Sequence, residues 1–142
     1  MVTLDANVFV AASITTEIHN RDSQALLTHL RTRDIEVYCP SLVIAETVAA
    51  IARPTGDAKL ALQSIRLITR FPNLTLLNLT QRRSRSAARL AADVRLRGAD
   101  SVYVATAVET ATTLITWETQ ILQRAKVAVT TMTPTDWLAA NP

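Results

Sequence analysis

Four acidic residues occupy positions in the sequence where a carboxylate can do chemistry: Asp5, Glu46, Asp100 and Glu118. Asp5 and Glu118 follow short β-rich runs, and Asp100 opens a helical one. Glu46 interrupts an apolar helical stretch, where a carboxylate needs a cation, a donor or water as its partner. Because clustered carboxylates repel one another and all-oxygen ligands suit Mg²⁺ or Mn²⁺, the four acids predict a site for one or two such ions. Ions held in this way can activate water for attack on a phosphodiester.

Each acid also has a purely structural interpretation. Asp5 and Asp100 can cap the helices that follow them, and Glu118 can be a solvated residue in a turn. Two polar neighbours favour a functional site. The amide of Asn7 and the hydroxyl of Thr116 are placed to orient a carboxylate or a water beside the acids.

Composition excludes several classes of protein. The 142 residues predict a single domain over 1–142, and nearly half of them are apolar. Cys39 is the only cysteine, so neither an internal disulfide nor a thiolate zinc site is expected. The sequence has no glycine-rich phosphate loop, which counts against nucleotide binding, and no G-x-S-x-G motif, which counts against a Ser–His–Asp hydrolase. With no signal-like or membrane-spanning run of apolar residues, a cytoplasmic protein is expected.

The basic residues are concentrated in one segment. Net charge is +3, and Lys59 and Lys126 are the only lysines among the 15 basic residues. Six arginines fall between residues 82 and 97: Arg82, Arg83, Arg85, Arg89, Arg95 and Arg97. The planar fork of arginine matches phosphate, and a basic stripe is typical of nucleic-acid binders. We therefore predict that Arg82, Arg83 and Arg85 bind RNA; a solvated helix face is the alternative.

Strand-like and helical segments alternate along the chain. Short β-rich runs occur at residues 2–4, 35–38, 74–79, 113–116 and 127–129. Amphipathic or apolar helical segments separate them. This order predicts an α/β fold with a mostly parallel sheet of about five strands and helices on both faces.

Local signals predict where the helices begin and end. Ser41, Asp57 and Thr80 are suited to cap helices. The helix after Asp57 should present one apolar stripe: Leu60, Leu62, Ile65, Leu67, Ile68 and Phe71. Gly98 is expected to close the arginine-rich helix in a left-handed conformation.

Four ordered motifs carry a family resemblance: VTLDANVFVAA, SLVIAETVAAI, LRGADSVYVATA and LITWETQIL. In this order, and in a chain this short, they resemble the PIN domain, and among PIN proteins the VapC-type toxins of bacterial toxin–antitoxin pairs. The resemblance covers essentially the whole chain. It implies a three-layer α/β/α fold and a Mg²⁺- or Mn²⁺-dependent endoribonuclease acting as a toxin. Its metal ligands would be Asp5, Glu46, Asp100 and Glu118, with Asn7 and Thr116 as supports.

The resemblance also implies partners: a cognate antitoxin that inserts a basic side chain among the acids, and a second copy of the chain that completes a basic groove. One position departs from the family pattern, because the family more often has aspartate where this chain has Glu118. That difference supports an alternative, a catalytically silent PIN-like module that binds RNA or protein. A metal-dependent DNA nuclease would differ only in its substrate.

Overall fold

The computed structural model describes all 142 residues. The strands are β1 (Val2–Leu4), β2 (Val37–Pro40), β3 (Leu74–Leu77), β4 (Thr113–Ile115) and β5 (Thr131–Met132). The helices are α1 (Ala6–Ser13), α2 (Asn20–Thr32), α3 (Leu42–Thr55), α4 (Ala58–Thr69), α5 (Gln81–Val94), α6 (Gly98–Thr110), α7 (Thr119–Arg124) and α8 (Pro134–Ala140). None of these helices is both long and apolar enough to cross a membrane.

All five strands are parallel and lie in the order β3-β2-β1-β4-β5. β1 is therefore central, and its three residues are almost fully buried. The chain leaves β1 toward β2 and returns later on the other side to form β4. In open parallel sheets, such a reversal leaves a crevice at the carboxyl ends of the two strands.

Helices cover both faces of the sheet. Right-handed crossovers place α1 to α4 on one face and α5 and α6 on the other. Packing agrees, since α1 contacts α2, α3 and α4, whereas α6 lies against β1, β2 and β4. Large apolar side chains such as Phe9 and Leu114 fill the core between the layers. The three-layer α/β/α fold with a parallel five-stranded sheet is confirmed.

Two of the helix caps form as predicted, and one does not. The side chain of Asp57 accepts a hydrogen bond from the Leu60 amide at 2.9 Å, and the Thr80 hydroxyl accepts one from the Arg83 amide at 3.3 Å. Ser41 stands at the start of α3, but its side chain makes no capping bond because its own backbone is already helical.

The predicted fifth strand at residues 127–129 is wrong. The amides of Ala128 and Val129 donate to the carbonyl of Ala125, which closes a short 3-10 turn (Ala125–Val127) and removes these donors from the sheet. Val127 is 86% exposed. The edge strand begins at Thr131, two residues after the predicted strand would end, and Thr131 pairs with Leu114.

Gly98 does not end the arginine-rich helix. That helix ends at Val94, and Arg95 takes the left-handed conformation, with φ 55°. The reason is burial of Leu96, which the turn at Arg95 directs into the core. Gly98 instead begins α6.

The apolar stripe predicted for α4 is correct only in part, because Ile68 is buried and Leu60, Ile65 and Phe71 are half-buried. The buried face of α4 consists of Ala61, Ser64 and Ile68, whereas Leu62 is 56% and Leu67 38% exposed. Small residues take the inner face because α4 packs closely along α3.

Candidate active site

Asp5 lies at the carboxyl end of β1, at the centre of a hydrogen-bonded cluster. Its Oδ2 accepts from the Thr116 hydroxyl at 2.6 Å and from the Asn7 side-chain amide at 2.9 Å. Its side chain also caps α1 by accepting from the Asn7 backbone amide. The structural interpretation of Asp5 as a helix cap is therefore correct, and the same carboxylate also lines a cleft.

Asn7 and Thr116 join the ends of β1 and β4. Asn7 Nδ2 donates to Thr116 Oγ1 at 3.0 Å, and Asn7 Oδ1 accepts from the Trp117 amide at 3.1 Å. Thr116 Oγ1 also accepts from the Glu118 amide at 2.9 Å. The two residues predicted as supports thus lie in direct contact with Asp5, Asn7 from the start of α1 and Thr116 from the residue after β4.

Glu46 and Asp100 reach the site from helices on opposite faces of the sheet. Glu46 is half-buried on α3, and its Oε2 accepts a hydrogen bond from the Tyr103 hydroxyl. Asp100 lies in the first turn of α6, three residues before Tyr103. Its Oδ2 is buried and has no hydrogen-bond partner. Such an atom is costly unless something else, such as a cation, satisfies it.

Glu118 precedes α7 and caps it, since Glu118 Oε1 accepts from the Gln120 amide at 3.1 Å. Its other carboxylate oxygen makes no hydrogen bond to the protein, and the residue lines the same cleft as the other three acids. Glu118 is thus a capping residue that also faces the site.

The four predicted acids and Asn7 line one open cleft of about 340 Å³ at the carboxyl ends of β1 and β4. Small side chains, among them Ala49 and Ala50, line it as well. Two arginines also line it, Arg53 and Arg97. The sequence contains the signal for both. Arg53 follows Glu46 by seven residues, or two helical turns, and Arg97 precedes Asp100 by three.

Burial and mutual repulsion raise the pKa of two carboxyl groups in the cleft, those of Asp5 and Asp100. Burial raises the pKa of the Asp5 carboxyl to about 7, although its hydrogen bonds from Thr116 and Asn7 oppose the rise. Burial also raises the pKa of Asp100. The charge of Glu118 adds to this rise, and that of Arg97 opposes it. A bound cation would favour the ionised form of both groups.

The donor atoms suit a hard cation. All four acids offer oxygen, the buried Oδ2 of Asp100 has no partner, and Glu46 and Glu118 each keep one oxygen clear of protein hydrogen bonds. No three His, Cys, Asp or Glu side chains converge on a point where they could hold one ion together. Mg²⁺ keeps several waters and binds proteins through one or two carboxylates, so this open arrangement fits it better than a closed cage would.

The arginines predicted to bind RNA lie elsewhere. Arg82 and Arg83 line a different groove, between the end of β3 and the helices α5 and α6. Arg83 forms a bidentate ion pair with Glu109, at 2.8 and 2.9 Å, and also donates to the Asn78 carbonyl. Arg85 is an exposed residue of α5 that does not line the acidic cleft. The structure does not bring these three residues to the acids, and their binding of RNA stays a prediction.

Comparison with known proteins decides the family. The PIN domain profile matches residues 2–127, which is most of the chain. The chain belongs to the PIN domain family. No curated protein sequence matches this PIN domain significantly.

Solved structures share the fold. The VapBC2 complex of Rickettsia felis, bound to a DNA fragment from its promoter, matches with a TM-score of 0.71 and 14% identity over 94% of this chain and 98% of that one. FitAcB of Neisseria gonorrhoeae matches with a TM-score of 0.71 and 21% identity over 95% of this chain and 99% of that one. VapC20 of Mycobacterium tuberculosis matches with a TM-score of 0.69 and 12% identity over 80% of this chain and 87% of that one. It is described as a toxin that cleaves the sarcin-ricin loop.

Proposed function

We propose that this PIN domain is a Mg²⁺- or Mn²⁺-dependent endoribonuclease and the toxin of a toxin–antitoxin pair. The observation that carries the proposal is the acidic cleft, which carboxylates from four separate segments of the chain line at the carboxyl ends of β1 and β4. The buried, unpartnered Oδ2 of Asp100 adds a specific reason for a cation. Asp5, Glu46, Asp100 and Glu118 would hold one or two ions.

The chemistry follows from the donor set. When bound, a divalent cation polarises a phosphoryl oxygen and lowers the pKa of a water at the scissile phosphodiester. The protein's part is to keep the carboxylates in place. Thr116 and Asn7 fix the orientation of Asp5, and Tyr103 fixes that of Glu46. Burial favours the protonated form of Asp5, and this carboxyl would have to lose its proton before it could bind the ion.

Structural relatives support the choice of RNA and of an antitoxin. VapC20 of Mycobacterium tuberculosis is described as a toxin that cleaves the sarcin-ricin loop, and a toxin–antitoxin complex from Klebsiella pneumoniae matches with a TM-score of 0.66 and 16% identity. We expect a cognate antitoxin to place a basic side chain among the acids, and two copies of the chain to form a dimer. A monomeric hydrodynamic mass at micromolar concentration would contradict the dimer.

Cleavage assays with controlled metal test the proposal. Antitoxin-free protein would be incubated with a mixed RNA pool, and in parallel with single-stranded DNA, in Mg²⁺, Mn²⁺ or EDTA. We expect RNA fragments with either metal, none in EDTA, and intact DNA. Cleavage that proceeds equally well in EDTA would contradict the metal-dependent mechanism, and preferential cutting of DNA would contradict the substrate.

A catalytically silent PIN module is the second candidate, and two observations favour it. Glu118, where the family more often has aspartate, uses one oxygen to cap α7. No three acids converge on one point. Tight binding of RNA without turnover in Mn²⁺, by well-folded protein, would favour this candidate over the nuclease.

A further inference from the structure

Two arginines share the cleft with the four acids. Arg53 lies in the last turn of α3, on the same face of the helix as Glu46, because seven residues make almost two full turns. Ala49 and Ala50 lie between them and leave that part of the cleft open. Arg97 immediately precedes α6, one turn before Asp100.

Neither arginine is paired with an acid, although both lie among carboxylates. The protein's one ion pair joins Arg83 to Glu109, well away from the cleft. Arg53 and Arg97 are exposed and make no side-chain hydrogen bond, and Arg97 contributes none to the cap of α6. Their guanidinium donors are therefore free to bind a ligand that enters the cleft.

The negative charge of the cleft explains why two arginines would help RNA to bind there. Four carboxylates repel a polyanion, and an RNA chain must bring its phosphates among them. An arginine fork donates two parallel hydrogen bonds to a phosphate, and so it both attracts and orients the backbone. We propose that Arg53 and Arg97 bind backbone phosphates of the RNA as it crosses the acidic cleft.

This assignment rests on the proposed nuclease function and identifies how its substrate is held. It differs from the prediction made from the sequence, in which the arginines of α5 guide the RNA. Two of those, Arg82 and Arg83, line another groove, and Arg83 is already engaged by Glu109. Arg66 and Arg70, exposed residues at the C-terminal end of α4 that do not line the cleft, provide a control of equal charge.

The test measures RNA binding, independently of cleavage. An Asp5→Asn background would be used in Mg²⁺ with a fluorescein-labelled single-stranded RNA of mixed sequence, and fluorescence polarisation would be recorded over a range of KCl concentrations. Arg53→Gln/Arg97→Gln would be compared with Arg66→Gln/Arg70→Gln, which has the same net charge. Circular dichroism would check that both variants are folded, as expected for exposed side chains.

Each phosphate contact on a single strand contributes about 0.7 to the slope of log K against log salt. We expect the Arg53/Arg97 variant to bind at least about tenfold more weakly, with a slope smaller by about 1.4. The Arg66/Arg70 variant should keep the parental slope. An unchanged slope in the first variant, or an equal loss in the second, would overturn the assignment.

The outcomes separate this assignment from the function on which it rests. If the wild-type protein cleaves RNA in Mg²⁺ while the Arg53/Arg97 variant in the Asp5→Asn background keeps the parental RNA affinity and salt slope, only the phosphate contacts are wrong. If the protein with native arginines neither binds nor cleaves RNA, both proposals fall.

Discussion

Asp5 combines two roles that usually compete. It is buried and hydrogen-bonded like a structural residue, yet burial raises its pKa to about 7, which is a cost that a purely structural carboxylate would not carry. Residues whose pKa is strongly shifted by burial are concentrated at functional sites. The charge of Asp5 is thus destabilising to the free protein and useful to a bound cation.

Stability should therefore fall with rising pH in metal-free protein. The folded pKa of Asp5, about 7, lies above its ordinary value of 3.8. Between these values the folded state binds more protons than the unfolded one, so the free energy of unfolding decreases as pH rises through about 7. For one proton, the slope is at most about 1.4 kcal/mol per pH unit.

Urea denaturation in EDTA between pH 5 and 8 would measure this slope. Asp5→Asn keeps an acceptor for Thr116 and has no charge to titrate, so it should flatten the curve and be the more stable protein at pH 8. Asp93→Asn, on the exposed face of α5, is the matched control and should retain the wild-type slope. Parallel curves for wild type and Asp5→Asn would refute the raised pKa.

Helices position the remaining acids. Tyr103, which is buried on α6, holds Glu46 of α3 across the site by its hydroxyl. This contact crosses two layers of the fold, so that the geometry of one acid depends on the packing of a helix on the opposite face.

Tyr103→Phe tests this coupling, because it keeps the ring and removes only the hydroxyl. We expect Mn²⁺ affinity, measured by calorimetry, to fall about tenfold, as is typical when a partner of a metal ligand is lost. Tyr38→Phe removes a surface contact of the same kind, from a hydroxyl to Glu36, and should leave Mn²⁺ binding unchanged. Equal affinities in wild type and Tyr103→Phe would show that Glu46 needs no such support.

The two glycines should respond oppositely to alanine. Gly56 ends α3 with φ 64°, where a Cβ is strained, and Gly98 begins α6 with an ordinary φ and open space around it. Thermal denaturation should show Gly56→Ala to be less stable by about 1 kcal/mol and Gly98→Ala to be more stable by about 0.5 kcal/mol. A stabilising Gly56→Ala would contradict the left-handed end of α3.

At the scale of the whole molecule, the alternation of strands and helices was enough to predict the parallel sheet, because a strand–helix–strand connection joins parallel strands. The positions of the four acids predicted one shared site. Local signals did not predict two features that depend on tertiary burial. The turn lies at Arg95 because Leu96 is buried, and Ala61 rather than Leu62 lies on the inner face of α4 because α4 packs on α3.

The cleft itself was predictable only in part. The acids stand out in the sequence because carboxylates are rare in apolar stretches, whereas the only signal for Arg53 and Arg97 is their helical spacing from Glu46 and Asp100. Only the fold shows that α3 and α6 bring them to the same cleft, and that Arg83 turns to Glu109 instead.

The central claim is that charge on the buried carboxylate of Asp5 holds a divalent cation that RNA cleavage requires. The most direct test is the rate of RNA cleavage in Mn²⁺ by Asp5→Asn and by Asp93→Asn, with both proteins shown to be folded. We predict that Asp5→Asn loses at least about 100-fold in rate, more than the loss of an outer partner causes, and that Asp93→Asn matches wild type. An Asp5→Asn protein that cuts RNA at the wild-type rate would contradict the claim.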